Sequence, residues 1–374
     1  MKILMISIDK GLLGKGQLGD VTERHKTYGQ FCGRLDIIVF CPKGSAENKI
    51  SEKVTAYPTN SSGKLKYFFD AKKIGQKLFS LNHYDLIVVQ EPFLTGLLGY
   101  RLKKQFNSKL LVHFHGDFWQ NPNWLKESKL NFLFLLLSKF VTAKADGVRV
   151  MSRGQKDKLV KAGISDNKIR VISTPVDLAK FGNQELRIKN QELRTILHVG
   201  RDDGAKDYRT LIKAYELVKA KMPINVNLCQ AGSDKLFEIT MKNEGMDYKK
   251  DGILSYKSTS HEDVIHLYPQ ADVVVLSSTS ESFGKVLVEA NAAGKPIVSS
   301  ATTGAKEIIQ DGYNGFLVPI GDAEKLAEKI LELLNDPEKA KQMGENGRKL
   351  VKEKFGDNTQ RIIKFWYDII SNRL

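Results

Sequence analysis

Cysteine is scarce in this 374-residue chain. Cys32, Cys41 and Cys229 are odd in number, form no Cys-x-x-Cys pair and accompany no histidine cluster. That argues against a disulfide framework and a zinc site, and it predicts a reducing, cytoplasmic setting. Long hydrophobic runs are also missing. The longest unbroken apolar stretch is FLFLLL at 132–137, far short of the roughly 20 residues that a spanning helix needs. The segment MKILMISIDK stays apolar only as far as Asp9, so it reads as a buried first strand rather than a secretory signal.

Acidic residues are scarce in one half only. Residues 1–190 hold 32 Lys and Arg against 16 Asp and Glu, and the remainder holds 26 against 27. The basic half suggests an anionic partner, such as an acidic substrate or a membrane surface, or else simply a soluble face. No nucleic-acid reader motif accompanies the charge, so nucleic acid is not an expected partner.

What the chain does have is a rhythm of apolar runs. Segments 2–8, 35–40, 86–90, 109–114, 147–152 and 169–174 are rich in Val, Ile and Leu, with polar helix-like stretches between them. Buried parallel strands joined by helices produce that pattern. It loosens at 177–193, read as an inter-domain linker, and restarts at 195–200, 224–232, 272–278, 295–300 and 315–320. The expected fold class is therefore α/β, with two doubly wound Rossmann-like domains. Ile362, Phe365, Trp366, Ile369 and Ile370 recur at helical spacing near the end, which predicts an amphipathic helix over 357–374 that must dock on something.

Two glycine-containing motifs stand out. Gly14, Gly16 and Gly19 spell GxGxxG after the first strand. The second strand, ending at 37–41, carries no terminal carboxylate to hold a ribose, so a dinucleotide fingerprint is disfavoured. In the second half, Glu281 and Glu289 bracket Phe283-Gly284-Lys285 where a helix should begin after a strand. A helix start offers unpaired N–H groups and a positive dipole end to a phosphate. The ordinary alternative is an i,i+4 salt bridge between Lys285 and Glu289. Arg201 and Lys206 lie in the loop after the first strand of the same half, at the strand end where such sheets bind ligands.

ESFGKVLVEANAAGKPIV (281–298), VGRDDGAK (199–206), TGAKEI (303–308) and DGYNGFLVPIGD (311–322) occur together, with VMSRGQKDKLVKAG (150–163) and KIRVISTPVDLAKF (168–181) before them. In order and spacing they resemble the retaining GT-B glycosyltransferases of family 4. The resemblance implies two domains facing a cleft: residues 1–180, binding the acceptor and receiving the C-terminal helix 357–374, and residues 181–356, binding a nucleotide-sugar donor. It implies that Arg201 and Lys206 neutralise the donor diphosphate. Gly284 and Lys285 would hold it through backbone N–H groups, Glu289 would bind the ribose, and Glu281 the transferred sugar. Gly304 of the TGAKEI element joins the donor-binding set. His115 matches a first-domain histidine that reaches the sugar, and Gly16 belongs to an acceptor-side loop. Tyr256, Lys257 and His261 fall where the family reads the base.

Ser282 and Thr303 replace glycines of the family pattern, and STP (173–175) replaces Pro-Asn-Gly. The first two bear on which sugar is carried. No Asp-x-Asp occurs, and the resemblance implies no cofactor and no metal. His113 and His115 lack a third ligand at suitable spacing for a metal site. The acceptor implied is a glycan or lipid-linked envelope precursor. Residues 64–81 and 100–106, basic and interleaved with aromatics, are then expected to contact an anionic membrane surface at its cytoplasmic face. A sugar-nucleotide epimerase or phosphorylase, or an inactive sugar-nucleotide-binding subunit, are the other readings.

Overall fold

Runs of Val, Ile and Leu become strands buried on both faces, and the computed structural model shows two such sheets. It describes residues 1–14, 20–182, 193–222, 226–233, 235–257, 260–356 and 358–374. The chain forms two compact units, Met1–Ser173 with Asp357–Leu374, and Thr174–Gly356.

The first unit holds eight strands among the described residues: β1 Lys2–Ser7, β2 Arg34–Val39, β3 Asn48–Ser51, β4 Val54–Pro58, β5 Leu86–Val89, β6 Lys109–Phe114, β7 Gly147–Val150 and β8 Ile169–Val171. Their order is β3-β4-β2-β1-β5-β6-β7-β8, parallel throughout except for the β3–β4 pair. Leu4 and Ile6 face helices Tyr67–Leu81, Leu94–Phe106 and Asn131–Lys144. Ile3 and Met5 face Val21–Gln30 and the terminal helix Asn358–Ile370. Alternate residues thus serve opposite cores, which is why the strands read as continuous apolar runs.

The terminal helix docks as its spacing predicted. Ile362, Phe365, Trp366 and Ile369 are buried in the first unit. At about 1.5–3 kcal/mol for each large apolar side chain removed from water, the contact outweighs the usual fraying of a chain end.

The second unit continues with β9 Arg194–Val199, β10 Val226–Ala231, β11 Ile253–Tyr256, β12 Val273–Leu276, β13 Ile297–Ser300 and β14 Phe316–Val318. The order β11-β10-β9-β12-β13-β14 is all parallel. Helices Tyr208–Lys221 and Ala323–Asn335 cover one face. Lys285–Ala292 and Pro337–Phe355 pack together elsewhere in this unit.

The units divide at 173/174, seven residues before the expected boundary at 180/181. Phe181, the first residue of the expected second domain, is buried, with its ring edge-on to Tyr268 at 5.6 Å and 6.2 Å from the His261 ring. Of the expected linker, residues 183–192 lie outside the described residues.

Candidate donor site

β9 has β10 on one side and β12 on the other, so the chain direction around the sheet reverses there. The loops leaving the C-terminal ends of β9 and β12 are neighbours at that switch point, where a doubly wound sheet leaves a crevice. Side chains and backbone stitch them together. Ser277 Oγ donates to the Lys206 carbonyl at 2.7 Å, and the Thr279 N–H donates to the Ala205 carbonyl at 2.8 Å. Asp203 caps the turn Gly204–Lys206 by accepting from Ala205 N–H at 3.0 Å. Gly200 leaves room for the Lys206 stem, because a Cβ there would lie 3.1 Å from Lys206 Cδ.

This framework brings Lys206 and Glu281 into a direct ion pair between Nζ and Oε1, with both side chains largely buried. Ser278 Oγ donates to the same carboxylate oxygen at 2.9 Å. The Glu281 carbonyl accepts from Gly304 N–H at 2.8 Å, which joins the loop after β13 to the same cluster. Gly304 is required there, since a Cβ would sit 2.5 Å from the Phe283 backbone. Thr303, one position earlier, is half-buried.

Gly284 stands next in the chain with φ +84° and caps the helix Lys285–Ala292. Residues with a Cβ adopt that conformation only at a cost. The first N–H groups of the helix lack intrahelical partners and sit at its positive end. An ammonium, a glycine-opened helix start and a carboxylate therefore converge at one crevice, chemistry suited to a phosphorylated ligand that also carries hydroxyl groups.

The glycosyl transferases group 1 model matches residues 183–350, and the Glycosyltransferase Family 4 model matches residues 33–180. The chain belongs to these glycosyltransferases. The Staphylococcus aureus capsular polysaccharide biosynthesis glycosyltransferase CapM is 30% identical over 239 residues, covering 60% of this chain and 61% of that protein. Sucrose-phosphate synthase from Thermosynechococcus elongatus superposes with a TM-score of 0.84 at 22% identity, covering 100% of both chains. Anabaena HepE in complex with UDP-glucose superposes at 0.76 with 21% identity, again covering 100% of both. Two such α/β domains form the GT-B fold.

The remaining expected site residues of this glycosyltransferase are placed less simply. Glu289 is buried, and both of its oxygens are engaged. Oε1 lies 3.0 Å from His261 Nε2 and 3.4 Å from Lys285 Nζ, and Oε2 accepts from the Tyr268 hydroxyl at 2.9 Å. The i,i+4 pair that the sequence offered as the ordinary reading is thus formed. Burial, then the Glu289 charge, raise the Tyr268 hydroxyl well above the usual tyrosine pKa, so it acts as a donor. Tyr268 lies in a short turn, Tyr268–Gln270, and nothing in its sequence context marked it.

Arg201 is exposed, and its carbonyl accepts from the Tyr208 hydroxyl at 2.8 Å. Its side chain is not among the groups that meet Glu281 in the described contacts. Lys257 pairs with Glu238 at 2.6 Å, and Tyr256 is exposed at the end of β11. Among the described residues, no group of three His, Cys, Asp or Glu is placed to hold a metal ion.

In the first unit, His115 follows β6 and Gln90 follows β5. His115 Nε2 lies 2.6 Å from Gln90 Oε1, which suits an Nε2–H tautomer donating to the amide oxygen. The ring keeps contact with solvent. Desolvation by the surrounding protein, then the Arg149 and Arg24 cations, push its pKa down, so it is neutral near pH 7. Arg149 is itself buried, donating from Nε to the Ile172 carbonyl at 2.7 Å and from Nη2 to the Ser173 carbonyl at 2.9 Å. Burial pushes this guanidinium down to about 10. Beside Gln90, desolvation raises Glu91 to about 7, a group the motifs did not single out. Gly16 lies outside the described residues.

Proposed function

We propose that this glycosyltransferase moves a sugar from a nucleoside-diphosphate donor to a hydroxyl of a glycan or lipid-linked envelope precursor at the cytoplasmic face of a membrane. The transfer retains the anomeric configuration and uses no divalent metal. The observation that carries this reading is the meeting of Lys206 and Glu281 beside the Gly284 helix start. A diphosphate entering there competes with Glu281 for the ammonium and frees the carboxylate to accept from sugar hydroxyls.

In the reaction, the bond from the anomeric carbon to the diphosphate oxygen breaks. The acceptor oxygen bonds the same face of that carbon, and the acceptor proton passes to the departing phosphate oxygen. Fixed positive groups that stabilise the leaving charge are the largest expected source of rate. The sequence has no Asp-x-Asp to recruit a cation for that task. The envelope assignment draws on the similarity to CapM, whose name places it in capsular polysaccharide biosynthesis. The nucleotide-sugar assignment draws on the shared fold with HepE, solved with UDP-glucose.

Thermal-shift screening against UDP-, GDP- and ADP-sugars should give one stabilising donor, and slow hydrolysis of that donor should persist in EDTA. Loss of hydrolysis in EDTA with recovery on adding Mg²⁺ or Mn²⁺ would contradict the metal-independent mechanism. An inverted product anomer would contradict retention.

A further inference from the structure

Helix Asn131–Lys144 is apolar toward water as well as toward the core. Its inward side carries buried Val141 and the core-packed Leu135 and Leu137 beside the buried polar residues Asn131, Ser138 and Thr142. Its outward residues are Phe132 and Leu133, each 59% exposed, Leu136 at 49% and Phe140 at 43%, with Leu130 exposed just before the helix. At 3.6 residues per turn these four helix positions share one side.

The inward polar groups are satisfied. Asn131 Nδ2 donates to the Trp124 carbonyl at 2.6 Å. Ser138 Oγ donates to the Leu135 carbonyl at 2.8 Å and accepts from Trp119 Nε1 at 2.7 Å, and Thr142 Oγ1 donates to the Ser138 carbonyl at 2.6 Å. The orientation is therefore held in place, and a second apolar side remains outward. An exposed apolar patch of this kind marks an interaction surface.

Charge identifies the partner. Between 122 and 145 the chain carries Lys126, Lys129, Lys139 and Lys144 against the single acid Glu127. Helix Leu94–Phe106 lies alongside, with the Tyr100 and Phe140 rings 5.2 Å apart. Beyond it, Arg101 lies 6.0 Å from the Phe68 ring of helix Tyr67–Leu81. In that helix Leu78 and Phe79 are buried, and Phe68 and Ile74 pack on the core. Phe69 and Leu81 of this helix and Leu65 just before it stay exposed, as do Lys64, Lys66, Lys73 and Lys77. Two copies apposed through this layer would bring like charges together, which disfavours a self-interface. An anionic surface suits the lysines, and hydrocarbon suits the phenylalanines and leucines. No described helix is long and apolar enough to cross a membrane.

We infer that helix Asn131–Lys144 lies in the headgroup region of an anionic lipid bilayer. Phe132, Leu133, Leu136 and Phe140 insert, and the lysines of 64–81 and 100–106 contribute long-range attraction. The inference rests on the membrane-facing acceptor proposed above and names the element that makes the contact.

The test compares sedimentation with phosphatidylcholine vesicles and with vesicles that also contain phosphatidylglycerol. The wild-type protein should pellet with the anionic vesicles and much less with the neutral ones. A variant carrying Phe132→Ser, Leu133→Ser, Leu136→Ser and Phe140→Ser should lose at least about tenfold in vesicle affinity, with an unchanged melting temperature and unchanged donor hydrolysis. Separately, Leu136→Trp should shift its emission to the blue on adding anionic vesicles. If the wild type and the quadruple variant pellet equally, membrane attachment stands and this helix is not its anchor. If the wild type never pellets and instead forms a dimer that the same substitutions dissociate, the face is an interface between copies and the inference fails. If it neither pellets nor dimerises, both the anchor and the membrane location fail, while donor hydrolysis still reports on glycosyl transfer.

Discussion

Lys206 holds the Glu281 carboxylate in a largely buried ion pair, which Ser278 supports with a hydrogen bond to the same oxygen. In the proposed mechanism, removing the ammonium takes away a stabiliser of the leaving diphosphate and leaves an unpaired carboxylate beside it. Lys206→Ala should lower kcat by roughly 10²–10³, the cost of losing one transition-state charge stabiliser. Arg201→Ala should act in the same direction. Single-turnover rates at saturating donor measure this, and near-normal turnover in both variants would remove the diphosphate role. The two glutamates should behave differently. Glu281→Gln should lower kcat if, as proposed, the carboxylate bears on the sugar where charge develops. Glu289→Gln should mainly raise the donor KM if Glu289 holds the ribose, because ribose contacts are similar in the ground and transition states. Glu289→Ala is a poorer probe, since the buried Tyr268 hydroxyl would lose its acceptor, at a cost of about 1–3 kcal/mol. Equal KM changes with unchanged kcat in both glutamine variants would show that the division is wrong.

Gly304 ties the loop after β13 to the Glu281 carbonyl, so the site depends on contact between whole elements. Gly304→Ala should force the Phe283 backbone away and weaken donor binding by about tenfold or more, an effect of roughly 1–3 kcal/mol for overpacking. Calorimetric titration of the donor measures it, and wild-type affinity would show that the two loops tolerate separation. β1, β5, β6, β9 and β12 were legible because each is flanked on both sides by strands and covered on both faces. β3, β4 and β11 were missed. β3 and β11 are edge strands, all three are only partly buried, and a half-wet strand leaves no continuous apolar run. The motif order located Lys206, Glu281, Gly284 and Gly304 at strand ends. It did not reveal that Lys206 and Glu281 pair, nor that Tyr268 closes over Glu289. Those contacts come from the packing of loops far apart in sequence. FLFLLL was visible as an apolar run, but the direction it faces is set by Trp119 and Trp124 holding Ser138 and Asn131 of its helix inward.

Across the whole molecule, both units carry histidines that the fold keeps neutral. Desolvation, then the Arg24 cation, push His25 down to about 3. Desolvation, then Arg149, hold His113 well below the ordinary value. Desolvation, then Lys206, push His198 down to about 3, and neither of its ring nitrogens has a partner among the described residues. The folded state therefore resists protons that the unfolded chain accepts below about pH 6.5. This contribution is fully present above that pH and is lost as pH falls from about 6.5 toward 3. Each histidine adds a slope of about 1.4 kcal/mol per pH unit. Three together approach about 4 kcal/mol per unit, against a typical total stability of about 5–15 kcal/mol. Urea midpoints measured at fixed ionic strength should be flat above about pH 7 and fall steeply below 6, with unfolding before the histidine pKa values of the folded state are reached. The basic first half also repels itself more as acids protonate, so a variant must separate the two causes. His198→Phe removes one titrating group from the second unit and leaves the lysines and arginines untouched. Its second-unit transition should lose most of its acid sensitivity, while the first unit, with His25 and His113 intact, keeps its own. A second-unit profile identical to that of the wild type would assign acid lability to net charge rather than to the buried imidazole.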